Sequence, residues 1–216
     1  MDHGQNLSDT MTIAIVDYGM GNLRSVSKAL EHLGADARVT HDPVAVRHAT
    51  AVILPGVGAF GAAMRELSRR GLVEPIVEAI RGGRPYLGIC LGLQLLFASS
   101  QESPGVAGLG ILPGTVRRFP AGGGLKIPHM GWNQATVPAS AAACPLLAGI
   151  PNNSFFYFVH SYFGDPADRK LIGLETDYGV RFTSMVWRER LFATQFHPEK
   201  SQTLGLHLLR NFVALA

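Results

Sequence analysis

The sequence predicts an α/β fold, with an open, mostly parallel or mixed sheet flanked by helices and an additional antiparallel β portion in the C-terminal half. Short apolar runs alternate with amphipathic segments over residues 12–54, a pattern typical of parallel sheets. Two apolar runs end in glycine-dense stretches, at residues 55–61 and 88–92. From residue 115 onward, short β-like segments follow one another, which predicts antiparallel strands.

Length and composition predict one compact domain. The chain has 216 residues, of which 47% are hydrophobic and 16% are charged, and this is enough for a sizeable core. Since no internal repeat or linker divides the sequence, residues 11–216 are expected to form a single domain. Residues 1–10 are polar and lack the apolar region of a secretion signal, so they predict a flexible N-terminal extension.

The first half of the chain predicts four strands with helices between them. Asn22 begins an amphipathic helix that Gly34 ends, and Pro43 begins a second helical stretch. The predicted elements are strands at residues 12–17, 37–40, 51–54 and 84–87, and helices at 22–33, after 43 and at 91–98. Because ligands bind at the carboxyl ends of parallel strands, we expect the loops after the third and fourth strands to face each other there.

The second half of the chain predicts β structure closed by one helix. Glu189 and Arg190 are expected to form a hairpin turn, and the glycine run at 122–124 is expected to be a loop tip. The predicted strands lie at residues 115–119, 154–159, 171–176, 182–187 and 191–195. Residues 203–215 carry apolar side chains at helical spacing, which predicts a helix that packs on the sheet.

Cys90 stands in the pattern Gly-x-Cys-x-Gly between a predicted strand and a predicted helix. This is the thiol form of the nucleophile elbow, a turn so tight that its central side chain projects alone. Glycines at positions 88 and 92 permit positive φ and let neighbouring elements approach. The helix N-terminus after Cys90 favours a thiolate, and the Leu91 N–H is a candidate oxyanion donor.

His197 and Glu199 supply the base and the orienting carboxylate that a cysteine nucleophile needs. Pro198 favours an extended His197, and in an extended segment residues i and i+2 lie on the same face. The alternative is that Cys90 is a small buried hydrophobe and that the histidine segment is a strand-end turn. The occurrence of both motifs in one chain favours a triad. Cys144 has no glycine flanks or obvious base, which indicates packing or a spectator thiol.

The glycine-dense loop at residues 55–61 predicts a second oxyanion element. Backbone N–H groups in such a loop can point at developing negative charge, and Val57 and Gly58 are the expected donors. A phosphate site is disfavoured because the loop lacks both the G-K-[ST] ending of a P-loop and the full G-x-G-x-x-G register. The alternative is a plain strand-to-helix turn.

These motifs resemble those of the class I, triad-type glutamine amidotransferases, whose fold is flavodoxin-like. The resemblance covers nearly the whole chain from residue 12. Two of its segments, LPGVGAF and IPHMGWN, resemble the subgroup that forms the glutaminase subunit of imidazole glycerol phosphate synthase in histidine biosynthesis. The motifs that carry the resemblance lie at residues 17–22, 54–60, 88–94, 127–133, 157–162 and 195–201.

The resemblance implies a chemistry that fits these residues. Cys90 would attack the side-chain amide of glutamine, His197 would protonate the departing ammonia, and water would hydrolyse the glutamyl thioester to glutamate. Ammonia would pass through a tunnel to a TIM-barrel cyclase partner in a heterodimer. That partner would make imidazole glycerol phosphate and aminoimidazole carboxamide ribotide. No cofactor is implied, and the other histidines lack a clustered set of metal ligands, so no metal is expected.

The resemblance also implies further site residues. Those that would bind glutamine are Gly56, Gln94, Ser161 and Tyr162. Those that would lie near the partner surface or the ammonia exit are Asn22, Pro128, His129, Met130, Trp132 and Tyr157. The two aromatic residues of the second set could equally be core aromatics, and His160 is interpreted as a structural histidine.

Composition disfavours several other classes of function. The net charge of +3 is mild and the basic pairs have no interleaved aromatic residues, so no nucleic-acid partner is expected. No stretch approaches the roughly 18 apolar residues of a membrane span. Two distant cysteines argue against a structural disulfide, so a reduced cytoplasmic location is expected. The alternatives left open are a stand-alone γ-glutamyl cysteine hydrolase, a glutaminase subunit of another amidotransferase, and a non-catalytic regulatory subunit.

Overall fold

A computed structural model describes residues 12–120 and 125–216. The predicted extension at residues 1–10 and the glycine run at 122–124 lie outside the described residues. Among the residues that are described, no helix is both long enough and apolar enough to cross a membrane.

The centre of the fold is a seven-stranded sheet of order β2-β1-β3-β4-β11-β10-β9. Its first five strands are parallel, and the last two are antiparallel to their neighbours. The mostly parallel sheet of the sequence prediction is therefore confirmed. The strands span β1 Ile13–Val16, β2 Ala37–Thr40, β3 Ala51–Gly56, β4 Tyr86–Cys90, β9 Ile172–Asp177, β10 Arg181–Arg188 and β11 Leu191–Thr194.

Helices cover both faces of this sheet. Successive side chains of β1 point to opposite faces. Ile15 packs in a core with Val26 and Leu208, whereas Val16 packs in a second core with Leu67. The helices span α1 Leu23–His32, α2 Pro43–His48, α3 Phe60–Arg69, α4 Val73–Arg81, α5 Leu91–Gln94 and α6 Gln202–Val213. Helices α1 and α6 therefore lie on one face, and α3 lies on the other.

Two antiparallel ribbons complete the fold. One pairs β5 Gly114–Arg118 with β8 Tyr162–Pro166, and the other pairs β6 His129–Ala135 with β7 Ser154–His160. The sequence pattern predicts neither strands β6 and β8 nor helices α3 and α4. Strand β6 lacks the alternation of buried apolar and exposed polar residues that predicts a strand. Its apolar side chains Met130 and Trp132 point outward, at 62% and 45% exposure.

The helix after Cys90 is much shorter than the predicted residues 91–98. It ends at Gln94 because the next carbonyl groups accept hydrogen bonds from a loop that returns later in the chain. The Leu95 oxygen accepts from Leu109 N at 2.8 Å, and the Leu96 oxygen accepts from Leu112 N at 3.0 Å. Leu95 and Leu96 are fully buried in this arrangement. A one-turn helix has few aligned peptide dipoles, so it contributes less positive potential at Cys90 than the predicted helix of residues 91–98 would.

Gly88 and Gly92 are needed for close packing of backbones at this turn. A Cβ atom on Gly92 would lie 1.9 Å from the Leu54 carbonyl oxygen of β3, and one on Gly88 would lie 2.6 Å from the Gly92 oxygen. Neither glycine has positive φ. Cys90 adopts this conformation instead, with φ 55°. The expectation that the glycines supply the positive φ is therefore wrong, whereas the expectation that they let neighbouring elements approach is confirmed.

We predict that Gly92→Ala destabilises the fold strongly. The added methyl group overlaps a backbone carbonyl that cannot move without disturbing β3, so we expect a loss of about 3 kcal/mol or more in the free energy of unfolding. Gly21→Ala is the matched control, because a Cβ there meets its nearest atoms at 3.4 Å. Urea unfolding measures both variants, and equal stabilities would contradict the packing argument.

Candidate active site

Cys90 occupies a strained turn between β4 and α5. Its φ of 55° and ψ of −105° lie outside the regions that L-residues ordinarily adopt. Such a conformation costs on the order of 1–3 kcal/mol and persists only where the surroundings impose it. The Cys90 residue is 6% exposed, and it lines a cavity of about 350 Å³. The turn therefore presents a nearly buried thiol to this cavity.

His197 and Glu199 form a buried hydrogen-bonded pair. Nδ1 of His197 lies 2.9 Å from Oε1 of Glu199, and the two side chains are 2% and 1% exposed. His197 is extended, with φ −98° and ψ 98°, but Pro198–Lys200 is a 3-10 turn. The segment is therefore not extended throughout, whereas the sequence predicts that it is. The turn after His197 places Glu199 against the imidazole ring.

The electrostatics of His197 favour its protonated form. Burial lowers the pKa of His197, but the neighbouring Cys90 sulfur and Glu199 outweigh burial and raise it to about 10. Nδ1 is engaged by Glu199, which leaves Nε2 as the ring nitrogen available to the sulfur. Among the described residues Nε2 makes no hydrogen bond of ordinary geometry. An imidazolium beside a cysteine stabilises its thiolate, so the pair is suited to nucleophilic attack.

Ser201 holds the histidine segment in place. Its hydroxyl donates to the His197 carbonyl oxygen at 2.7 Å and accepts from Tyr157 N at 3.0 Å. His197 N in turn donates to the Tyr157 oxygen at 2.9 Å. Ser201 is 1% exposed, so these bonds are shielded from water. Ser201 is not among the residues predicted for the site, although it ends the motif at residues 195–201.

The cavity brings most of the predicted site residues together. Of the predicted oxyanion donors and substrate-binding residues, only Gly56 does not line it. Three further residues form its wall that the sequence analysis did not assign to the site: Glu102, Val159 and His160. The lining residues are Val57, Gly58, Cys90, Leu91, Gln94, Glu102, Pro128, Val159, His160, Ser161 and Tyr162.

The loop after β3 is fixed at its far end by a neighbouring segment. Gly58 adopts φ 95°, a left-handed conformation that favours glycine. Helix α3 begins directly after the loop, and its first amide groups donate to side chains of another loop. Phe60 N donates to Oε2 of Glu102 at 2.7 Å, and Gly61 N donates to Oγ of Ser103 at 3.0 Å. Glu102 therefore caps α3 and lines the cavity at the same time.

Gly56 does not line the cavity but is paired in register with Cys90. A Cβ atom on Gly56 would lie 2.3 Å from the Tyr18 hydroxyl oxygen and 2.9 Å from Cβ of Leu91. The Tyr18 hydroxyl is buried and has no hydrogen-bond partner among the described residues. Burial, and then the neighbouring Cys90, raise the pKa of Tyr18, so its phenol stays neutral. Tyr18 is also not among the residues predicted for the site, although it lies in the motif at residues 17–22.

Gln195 connects Gln94 to the nucleophile. Nε2 of Gln94 donates to the Tyr162 oxygen at 2.9 Å and to Oε1 of Gln195 at 3.1 Å. Nε2 of Gln195 then donates to Sγ of Cys90 at 3.6 Å. Gln195 is fully buried, and these hydrogen bonds satisfy polar groups that burial would otherwise leave unpaired.

The ribbon of β6 and β7 exposes an apolar face beside the cavity. Trp132 and Tyr157 are opposite each other, with ring centroids 6.1 Å apart, and Met130 is opposite Val159. Phe155 extends this face at 52% exposure. Val159 also lines the cavity, so the apolar face adjoins the nucleophile.

Two of the residues expected near a partner surface or the ammonia exit are not exposed on the ribbon. His129 points to the inner side of the ribbon and is 3% exposed. Asn22 stands at the start of α1 and does not line the cavity.

Cys144 is buried, and burial raises its pKa to about 11, which keeps its thiol protonated. Within the described part of the chain, no group of His, Cys, Asp or Glu is placed to hold a metal ion.

We predict that His197 remains protonated well above pH 7. Because its pKa is higher in the folded chain than the ordinary 6.5, its contribution to stability is complete below pH 6.5 and is lost as pH rises toward 10. In Glu199→Gln the pKa should fall toward 6.5, because the anionic partner is removed. Nitrogen-15 NMR of labelled histidine follows both titrations. A wild-type His197 that titrates near 6.5 would contradict this electrostatic account.

Comparisons of sequence agree with the geometry of the site. A family model described as glutamine amidotransferase class-I matches residues 14–216. The chain is 51% identical to imidazole glycerol phosphate synthase subunit HisH of Syntrophotalea carbinolica, over 93% of this chain and 98% of that protein. It is 54% identical to the subunit of the same name from Moorella thermoacetica, over 93% of each chain.

Solved structures share the fold at lower sequence identity. One described as a glutamine amidotransferase matches with a TM-score of 0.72 and 20% identity, over 94% of this chain and 97% of that one. A chain of PurLQS from Thermotoga maritima matches with a TM-score of 0.71 and 18% identity, over 95% and 98%. Taken with the family match and the HisH relatives, these findings show that the chain belongs to the class I glutamine amidotransferases.

Proposed function

We propose that this chain is the glutaminase subunit of an imidazole glycerol phosphate synthase and hydrolyses glutamine to glutamate and ammonia. The observation that carries the proposal is the buried His197–Glu199 pair, joined at 2.9 Å, beside a cysteine on a strained elbow that opens into a cavity. HisH relatives that are about half identical over 93% of the chain support the assignment to this synthase.

The proposed reaction uses the triad in two steps. The Cys90 thiolate attacks the side-chain amide carbon of glutamine, and a tetrahedral intermediate forms. His197 donates its proton to the amide nitrogen, the carbon–nitrogen bond breaks, and ammonia leaves a glutamyl thioester on Cys90. Neutral His197 then takes a proton from water, whose oxygen attacks the thioester. Glutamate leaves, and the Cys90 thiolate and protonated His197 are restored.

The negative oxygen of the tetrahedral intermediate needs hydrogen-bond donors. The backbone N–H groups of Leu91, Val57 and Gly58 are the proposed donors, since all three residues line the cavity next to Cys90. Gly56 contributes indirectly, because it pairs with Cys90 and begins the loop that carries two of these amides. A Cβ at position 56 would displace the Tyr18 hydroxyl and Leu91.

The cavity provides for the rest of glutamine. Its volume of about 350 Å³ accommodates a small amino acid, and Gln94, Ser161 and Tyr162 form part of its wall. The Tyr162 carbonyl oxygen already accepts from both His160 and Gln94. A carbonyl oxygen has two lone pairs, so we assign substrate contact to Gln94 and to the backbone N–H groups of Ser161 and Tyr162.

We infer that a TIM-barrel cyclase covers the exposed ribbon and receives ammonia there. The relatives are named as subunits of a synthase, and the exposed apolar side chains of Met130, Trp132 and Phe155 need a partner to remove them from water. Pro128 lines the cavity, and Tyr157 is opposite Trp132 on the ribbon. The heterodimer would make imidazole glycerol phosphate and aminoimidazole carboxamide ribotide in a reduced cytoplasmic compartment.

We predict that Cys90→Ala separates ammonia production from ammonia use. In the complex with the cyclase, glutamine-dependent synthesis should fall by about 10³-fold or more, because no other group can form the thioester. Added ammonium should still support synthesis at the wild-type rate. Steady-state assays with each nitrogen source measure the two activities.

Cys144→Ala is the matched control, since that thiol is buried away from the cavity, and it should keep both activities. Loss of both activities in Cys90→Ala would mean that Cys90 is structural. Efficient hydrolysis of γ-glutamyl peptides by the isolated chain, with no gain from the cyclase, would favour a stand-alone hydrolase.

A further inference from the structure

A buried hydrogen-bond network extends behind the cavity, and the mechanism above does not use most of it. Its first branch joins two histidines. Nδ1 of His129 lies 3.0 Å from Nε2 of His160, and Nδ1 of His160 lies 2.8 Å from the Tyr162 oxygen. Nδ2 of Asn133 lies 3.3 Å from Nε2 of His129. The two histidines are 3% and 6% exposed.

The direction of each bond in this branch follows from the Tyr162 carbonyl, which can only accept. His160 must therefore carry its proton on Nδ1, and its Nε2 accepts from His129 when the ring is neutral. His129 is then also protonated on Nδ1, and its Nε2 accepts from Asn133. The Asn133 amide is oriented independently, because its nitrogen donates to the Asp177 oxygen at 2.9 Å. All three bonds in this branch have a defined donor.

Both histidines stay neutral near pH 7. Burial lowers the pKa of His129 to about 4. Burial is also the main effect on His160, whose pKa is lowered to about 3 although its bond to the Tyr162 oxygen acts in the opposite direction. Aromatic rings surround the pair: Phe158 stacks on His129 at 4.8 Å, and Phe182 lies 5.1 Å from His160. These contacts leave each ring little freedom to reorient.

The second branch begins on the same Tyr162 oxygen. The atom of the Gln94 amide that faces it must be the nitrogen, and that nitrogen also donates to Gln195. Both hydrogens of the Gln94 amide are thereby used, which leaves its Oε1 as the acceptor without a partner among the described residues. Gln195 accepts the bond from Gln94 through Oε1, and its Nε2 donates to Sγ of Cys90 at 3.6 Å. The amide orientation and the sulfur environment therefore depend on the same side chain.

We propose that His129, His160 and Gln195 are positioning residues that hold the Gln94 amide with its Oε1 toward the cavity, as the acceptor for the α-ammonium group of glutamine. This inference rests on the proposed glutaminase function. If the Gln94 amide could rotate, it would present either its nitrogen or its oxygen to the substrate. The hydrogens on the amide nitrogen would repel an ammonium group. The network therefore favours amino acids with a free α-ammonium group over N-acylated ones.

The first test is spectroscopic and needs no catalytic activity. Nitrogen-15 shifts of labelled histidine distinguish the two neutral tautomers, and His129→Asn and His160→Asn assign the signals. The expected result at pH 7 is that both rings are neutral and protonated on Nδ1. An Nε2-protonated or charged His160 would overturn the proposed network, even if the chain hydrolyses glutamine.

The second test is kinetic, in the complex with the cyclase. His160→Phe removes the donor to the Tyr162 oxygen, so KM for glutamine should rise by about tenfold while kcat changes by less than about threefold. His160→Asn is the matched variant, because its Nδ2 takes the place of Nδ1, and its KM should stay within about threefold of wild type. Ammonium-dependent synthesis should be unchanged in both.

These outcomes separate the positioning proposal from the function it rests on. A wild-type complex without glutaminase activity would overturn the proposed function, whatever the tautomers are. An active wild type with an unchanged KM in His160→Phe would overturn the positioning proposal. If His160→Phe fails to fold, Gln195→Met supplies the same test, since it removes the acceptor for Gln94, and an unchanged KM there would also overturn the proposal.

Discussion

The direct contact of the α5 backbone with the β3 backbone is the constraint on which this site depends. No side chain separates the two elements at Gly92, so the chain after β4 must turn within one residue. That residue is Cys90, which takes the strained conformation and presents its thiol to the cavity. The register of β3 and β4 pairs Gly56 with Cys90. The nucleophile and the glycine loop are therefore positioned by one sheet edge.

Several buried polar atoms around Cys90 have no partner within the described residues. They include Nε2 of His197, Oε2 of Glu199 and the Tyr18 hydroxyl. An unsatisfied buried polar atom typically costs about 1–3 kcal/mol, so ordinary folds contain few of them. Because several such atoms lie around Cys90, we infer that they find partners when substrate or a reaction intermediate is bound. The large apolar cores on both faces of the sheet provide the stability that offsets this cost.

Much of this architecture could be predicted because the local patterns are strong. The periodicity of the parallel strands and the Cys90 elbow each have a distinct signal. Helices α1 and α6 lie close to their predicted bounds, and α2 begins at Pro43 as predicted. Strand β6 was missed because Met130 and Trp132 place apolar side chains on an exposed face. The predicted helix after Cys90 was too long, because the returning loop that ends it is distant in sequence. Gln195 was missed because only the folded chain brings it to the sulfur.

The central claim is that Cys90 carries the glutamyl group during turnover. Rapid acid quenching of the cyclase complex with glutamine, followed by peptide mass spectrometry, tests it directly. The account predicts one glutamyl group on the peptide that contains Cys90, and its removal by hydroxylamine, as for a thioester. Formation of glutamate with no acyl group on Cys90, or with the group on another residue, would contradict the account.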